Sequence, residues 1–383
     1  MPITPTIMKL PREVVVDRKQ AGTVLITVIM MVAIAALLVT DMVYRQKLDI
    51  KRTSALLSRD QAFQYLLGAE ELANLTLSED LKQDNDRNEP AFVDTLAEDW
   101  AEPTNPFPVA GGFIQGRVID LQSRFNVNSI MASDANVAKK QRERFRRLLD
   151  QVGIPVDKDS NVSTQMLAER VLDWLDSDQE PTGFDGKEDL DYLGLDRPYR
   201  AANMVLWDIS ELMLIEGFTP NDIAQLADYV SFLPPDVALN INTADVKVLD
   251  AYDLGLPGVQ IDEERKKTGP GRHDGGFLDL QALDDLLLTA ATPQNNEVES
   301  GSDEEQDTEN GAAAPGEQQN NKAVGNFSVN SEYYLLEAEA VINEKPVLMR
   351  SILFRPALKD GASNKDIKIK TLSRKLEDPL KRV

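Results

Sequence analysis

The 383-residue sequence has no cysteine, a single histidine and a shortage of basic charge. Without cysteine there is no disulfide framework, no thiol nucleophile and no thiolate-ligated zinc. One histidine, His273, removes nearly every His-based metal centre and leaves any catalytic triad hanging on one residue. It lies in a Gly-rich polar loop, 269–276, with no nucleophile motif beside it, and reads as a surface residue. Only 41 Lys and Arg oppose 64 Asp and Glu, so the formal charge is −23. Such a chain is repelled by phosphate backbones, which argues against nucleic acid as a partner. Tryptophan is scarce, and Trp100, Trp174 and Trp207 read as isolated core or interface anchors.

What is present begins with length and apolar content: 42% apolar residues predict a mostly globular chain of two or three domains. From Thr23 to Thr40 the sequence runs uncharged and apolar. As a helix this span covers roughly 27 Å, close to the hydrocarbon thickness of a bilayer. The 22-residue polar leader and the long apolar run do not fit a cleaved secretory signal, so residues 23–43 are expected to be a retained membrane helix. Basic residues flank both ends (Lys9, Arg12, Arg18 and Lys19 before; Arg45, Lys47, Lys51 and Arg52 after), and charge alone leaves the orientation open. Ala62, Leu66, Ala69 and Ala73 continue a helical stripe, and no proline intervenes before Pro90. One helix from about Thr23 to about Leu81 is therefore expected, the first part in lipid and the last part covering a folded domain.

Residues 82–110 read as an acidic, Pro-punctuated loop, and Phe113–Leu121 as a strand after Gly111-Gly112. Glu332–Ile342 and Val347–Phe354 form a hairpin pattern around residues 343–346. Residues 122–291 are helical in pattern, at 138–152, 164–175, 209–216, 220–232, 244–252 and 278–288. Within this block Asn126-Val127-Asn128-Ser129 is echoed by Asn240-Ile241-Asn242-Thr243, which predicts two related helical subdomains. Residues 292–326 are low in complexity, with seven acids between Glu297 and Glu309, and read as a disordered acidic linker. Residues 357–383 read as a flexible basic tail.

One window concentrates carboxylates. Asp173, Asp176, Asp178, Glu180, Asp185, Glu188, Asp189 and Asp191 are opposed only by Lys187. So many acids repel unless they are solvated or bridged by a hard cation, and oxygen ligands on an irregular loop suit Ca²⁺. The spacing is not an EF-hand: counted from Asp176, Pro181 stands where glycine is required and Lys187 where glutamate is. From charge alone a solvated loop and a cation site both remain open. A glycosidase acid–base pair needs separated carboxylates in a cleft, which this crowding does not offer.

Two resemblances add to this reading. Arg18-Lys19-Gln20-Ala21-Gly22 before the apolar run resembles the processing site of type IV pilin-like precursors. That class implies cleavage between Gly22 and Thr23 by a membrane-embedded prepilin peptidase on the cytoplasmic side, with the remainder periplasmic. Thr23 replaces the usual bulky first residue, and Thr27 stands at the fifth mature position where most pilins carry Glu. The order of long helix, strand, helical insertion and hairpin resembles the K component of the type II secretion system, a minor pseudopilin. The resemblance rests on Arg59-Asp60-Gln61-Ala62, residues 111–117, residues 120–128, Asp173-Trp174-Leu175-Asp176-Ser177-Asp178, residues 199–203 and residues 239–244. It covers about residues 18–355.

The resemblance implies an α+β pilin-like fold: residues 44–121 supply helix and first strand, and 327–356 the C-terminal hairpin. An inserted all-α domain of two SAM-like or helix-hairpin-helix-like subdomains occupies 122–291. It implies a filament-tip role in the bacterial inner membrane, with the I, J and H components, the major pseudopilin, the inner-membrane platform and secreted proteins as partners. Calcium is associated with the family's helical domain, which favours Asp176, Asp178, Glu188, Asp189 and Asp191 as ligands, with Glu180 weaker. No catalytic residue and no nucleic acid partner is expected. One alternative comes from Leu256-Pro257-Gly258-Val259 with 275–280, which resembles a phosphate-gripping helix-hairpin-helix. Gln260 and Asp262-Glu263-Glu264 depart from that pattern, but a membrane-anchored DNA-uptake protein remains the competing expectation.

Overall fold

The computed structural model describes residues 18–86, 92–158, 161–269, 272–291, 327–356 and 368–377. The acidic linker expected at 292–326 and the first part of the leader lie outside these residues. The chain divides after Gln61 into two units. Helix α1 spans Arg18–Asp86. Its apolar stretch is exposed throughout, and it is long and apolar enough to cross a membrane.

In the second unit, residues 62–81 of α1 lie against a five-stranded antiparallel sheet. Its strands are β1 (Phe107–Val109), β2 (Gly112–Asp120), β3 (Tyr333–Ile342), β4 (Lys345–Phe354) and β5 (Lys370–Glu377), in that spatial order. The period-2 pattern of β3 turns Tyr334, Leu336, Ala338, Ala340 and Ile342 inward. Ala62, Leu66, Ala73 and Leu77 meet them at helical spacing. Alanines on both surfaces let helix and sheet approach closely, and each buried Leu contributes about 2 kcal/mol. The β3–β4 turn is tighter than the sequence indicates. Asn343 and Glu344 alone make it, both with positive φ, the two-residue turn whose twist matches the strands. Beside this turn, Gly112 lies so close to the Val341 carbonyl that a Cβ there would collide with it.

Two expectations need correction. The loop assigned to 82–110 contributes the edge strand β1, paired from Phe107↔Ile114 to Val109↔Gly112. The flexible tail assigned to 357–383 contains β5, paired with β4 from Leu348↔Glu377 to Phe354↔Lys370. Its basic residues suit a solvent-facing edge, where lysine and arginine discourage further strand pairing. They also have a partner the sequence does not reveal: Glu70 on α1 is 3% exposed and accepts from Arg374 at 2.7–3.1 Å, Ser351 at 2.7 Å and Thr371 at 2.7 Å.

The insertion between β2 and β3 has its own core, around Phe125, Phe145, Trp174, Tyr192, Tyr252 and Phe277. Its helices are α2 (Ala135–Val152), α3 (Thr164–Leu175), α4 (Asp189–Leu193), α5 (Pro220–Leu226), α6 (Val246–Tyr252), α7 (Gly258–Arg265) and α8 (Leu280–Ala291). The repeated Asn motif does the same work twice. Asn128 accepts from the Leu206 N–H and donates to the Leu206 carbonyl, both at 2.9 Å. Asn242 clamps Phe277 in the same way, at 2.7 and 2.9 Å. Each buried asparagine thereby satisfies backbone groups outside its own element, Leu206 in irregular chain and Phe277 in a two-residue strand.

Candidate metal centre

Helix α3 ends at Leu175, and the chain leaves it into the acidic loop before α4 begins at Asp189. Asp173, fully buried, fixes the loop by accepting from the Thr182 N–H at 3.0 Å. Gly186 packs so tightly that a Cβ there would strike the Asp173 carboxylate and the Thr182 backbone. Gly183 has φ +68°. These constraints fold the loop back and bring one oxygen each of Asp176, Asp178 and Glu188 within 4.8 Å of one another.

The electrostatics of this trio are unfavourable as it stands. Glu188 is 3% exposed, and both of its oxygens are buried without a hydrogen-bond partner, as is Oδ1 of Asp176. Burial pushes the Glu188 carboxyl up to about 7, with the charges of Asp173, Asp176, Asp178 and Asp189 adding to it. Asp176 is pushed up to about 6, first by burial and then by Asp178 and Asp173. Buried carboxylates are ordinarily paired or coordinated. Three converging carboxylates, with both Glu188 oxygens and one of Asp176 left without donors, match the oxygen-rich coordination of a hard divalent cation, so the residues present fit Ca²⁺.

The other expected ligands are employed elsewhere. Asp189 accepts from the Ala201 N–H at 3.0 Å and lies 3.5 Å from Arg200. Asp191 accepts from the Glu188 N–H at 3.1 Å, which sets the start of α4. Glu180 is exposed, and its backbone N–H donates to Asp178 at 2.9 Å. Asn203 is a residue the charge count passed over. It adopts a left-handed conformation (φ 48°), donates its N–H to the Trp174 carbonyl at 3.0 Å and leaves Oδ1 buried without a partner. A positive-φ asparagine is not visible as such in a sequence.

The competing phosphate-gripping reading fails on geometry. The Gly258 N–H, which would face a phosphate, donates to Asp250 Oδ1 at 2.6 Å. Arg265 and Lys266 both pair with Asp262 at 2.6 Å, and Lys267 pairs with Glu264 at 2.5 Å. The hairpin already holds a carboxylate, and Arg265, Lys266 and Lys267 are neutralised by acids of α7.

Residues 123–235, which include this acidic loop, match the family model described as type II secretion system (T2SS), protein K. The type II secretion system protein K of Pseudomonas aeruginosa is 41% identical over 244 residues, covering 63% of this chain and 70% of that protein. The Aeromonas hydrophila protein is 31% identical over 282 residues, covering 70% and 81%. The chain belongs to the type II secretion system protein K family. Its fold agrees: a chain in the crystal structure of the GspK-GspI-GspJ complex from enterotoxigenic Escherichia coli superposes with a TM-score of 0.62 at 24% identity. That superposition covers 85% of this chain and 99% of the other. The protein K family and this pilin-like architecture account for the long apolar helix and the large insertion together, and neither supports the DNA-uptake alternative.

Proposed function

We propose that this protein K family member is a minor pseudopilin at the tip of the type II secretion pseudopilus, assembled with the I, J and H components. The observation that carries the reading is one continuous helix, apolar over its first part and packed on a pilin-like sheet over its last. Cleavage after Gly22 leaves that apolar helix anchored in the inner membrane with the remainder periplasmic. Removal from the membrane into a filament then depends on packing beside other pseudopilin helices. Thr27 supports a terminal position. Its hydroxyl donates to the Val24 carbonyl at 2.8 Å within the helix and carries no charge to neutralise the amine of a following subunit. The insertion adds bulk that hinders stacking above it. The work is non-covalent assembly, and no catalytic step is invoked.

Calcium, held by Asp176, Asp178 and Glu188, acts in this reading as the structural staple that an extracytoplasmic chain without cysteine lacks. Three acids converging at the base of α4 then become an attraction instead of a repulsion. The test is purification of the full chain co-expressed with the I and J components of the same system. A stable ternary complex is expected. Recovery of an I–J pair without this chain would remove the assignment to the tip.

A further inference from the structure

The insertion displays an apolar surface that its own fold does not use. Outside α1, fourteen large apolar side chains are exposed among the described residues, and eight fall within residues 184–214. Phe184 is 98% exposed, Leu190 84% and Trp207 73%, and Met204, Met213 and Leu214 are each about half exposed. Apolar residues scattered singly need no explanation, but such a concentration in one stretch does.

The segments that carry them are held firmly. Tyr192 of α4 stacks on Tyr199 with ring centroids 5.3 Å apart, and the Tyr199 hydroxyl donates to the Leu214 carbonyl at 2.7 Å. Asp189 accepts from Ala201, and Glu211 accepts from the Trp207 N–H at 2.7 Å. Leu206, next to Trp207, is clamped on both sides of its peptide by Asn128. Rigid segments that hold an indole and two thioethers toward water are arranged for contact, since a pre-ordered surface loses little entropy on binding.

The surround is predominantly acidic. Residues 176–216 contain eleven Asp and Glu against Lys187, Arg197 and Arg200. Lys187 is already paired with Glu216 at 2.8 Å, Arg200 faces Asp189, and Lys375 of β5 reaches in to pair with Asp208 at 3.2 Å, so these bases are matched and the excess is acidic. One divalent cation in the carboxylate pocket leaves the region strongly negative. Anionic lipid, nucleic acid and a second copy of the same face are all repelled by such a field. We propose that this face of the insertion docks a protein whose contact surface is apolar at its centre and basic at its rim. Interfaces are built in this manner, with aromatic and Met anchors inside a polar rim and charge complementarity steering the encounter. The surface stands whether or not the carboxylate pocket holds a cation.

The test uses the full chain in the membrane of secreting cells. Trp207 is replaced by p-benzoylphenylalanine in one strain and Leu214 in a second, with the exposed Val259 of α7 as the control position. The expected result is one and the same protein attached at 207 and 214, through peptides carrying Lys or Arg, and not at 259. The double reversal Asp185→Lys with Asp196→Lys is expected to cut the adduct yield severalfold while the melting temperature stays unchanged. Adducts with a second copy of the chain, with lipid or through acidic peptides overturn the proposal. So does a yield at 207 and 214 no higher than at 259, or one indifferent to the charge reversal.

Discussion

Glu188→Gln is expected to stabilise the metal-free protein and, in the same variant, to abolish its response to calcium. A folded value of about 7 against an ordinary 4.5 means that the folded state holds the Glu188 proton more tightly than the unfolded chain does. The group's contribution is therefore fully present below about pH 4.5 and is lost as the pH rises to about 7. At neutral pH the difference corresponds to about 3 kcal/mol of destabilisation. A glutamine removes the charge, and its amide can donate to Asp176 or Asp178, but it stays buried as a polar group. The net gain should be about 1–2 kcal/mol. In the wild type, calcium at a hundredfold excess over its Kd stabilises by about 2.7 kcal/mol. For a domain of this size that raises the melting temperature by roughly 5–10 °C. Tryptophan fluorescence is a suitable assay, because Trp174 lies two residues before Asp176 and packs edge-on against Tyr192 at 5.3 Å. Identical wild-type melting in calcium and in chelator would refute the reasoning. A Glu188→Gln protein less stable than wild type in chelator would refute it equally.

Three further outcomes follow from other parts of the molecule. Nothing lies within 4 Å of a Cβ added at Gly22, so a Gly22→Leu chain should fold normally while its N-terminal sequencing shows an uncut leader. Arg374→Ala takes the charged donor from buried Glu70 and should loosen β5 by about 2 kcal/mol. Hydrogen exchange across 370–377 should then accelerate on the order of thirtyfold, and unchanged exchange there would show that the ion pair is not what holds the strand. Asp120 is raised to about 6 by burial, against an ordinary 3.8, so its contribution is lost as pH climbs from about 4 to about 6. Calcium-saturated Asp120→Asn protein should show a flatter stability profile across that interval, measured by urea unfolding at several pH values.

Local patterns were legible in the sequence where a single element decided its own structure. The span of α3 at 164–175 and the alternation of β3 come straight from apolar periodicity. The repeated Asn-x-Asn motif has a repeated role, since both copies bury their asparagines as backbone clamps. What the sequence hid was long-range partnership. Nothing in residues 370–377 indicates that Glu70, about three hundred positions earlier, is left with a buried carboxylate that a basic strand can satisfy. The acidic loop shows the same limit at the candidate site. Composition identified eight candidate carboxylates, but only the fold separates Asp189 and Asp191, which accept backbone N–H groups, from Glu188, which has no donor at all. Pattern reports which residue types are near in sequence, and hydrogen-bond satisfaction decides which of them remain available to a ligand.

The mounting of the insertion explains why the two Asn motifs, alike in sequence, are not interchangeable. Asp120 closes β2, and Tyr333 opens β3, so the insertion hangs between two adjacent strands. Asp120 Oδ2 accepts from Thr243 at 2.5 Å and Ser331 at 2.7 Å, and Asn240 donates to Ser331 at 2.9 Å and to the Asp94 carbonyl at 3.2 Å. Asp94 in turn accepts from the Ser331 N–H, the Tyr334 hydroxyl and Arg355, whose other arm pairs with Asp80 of α1 at 2.8 Å. The second motif is thus wired through buried charges into the sheet and into α1, whereas Asn126 and Asn128 bond only within the insertion. A hinge of solvated loops would let the insertion swing. A junction of buried, mutually satisfied polar groups resists that, because breaking one bond strands another in low dielectric. The apolar face and the carboxylate pocket are therefore carried at a fixed attitude to the pilin-like sheet, which is what a surface that meets partners from the end of a filament requires.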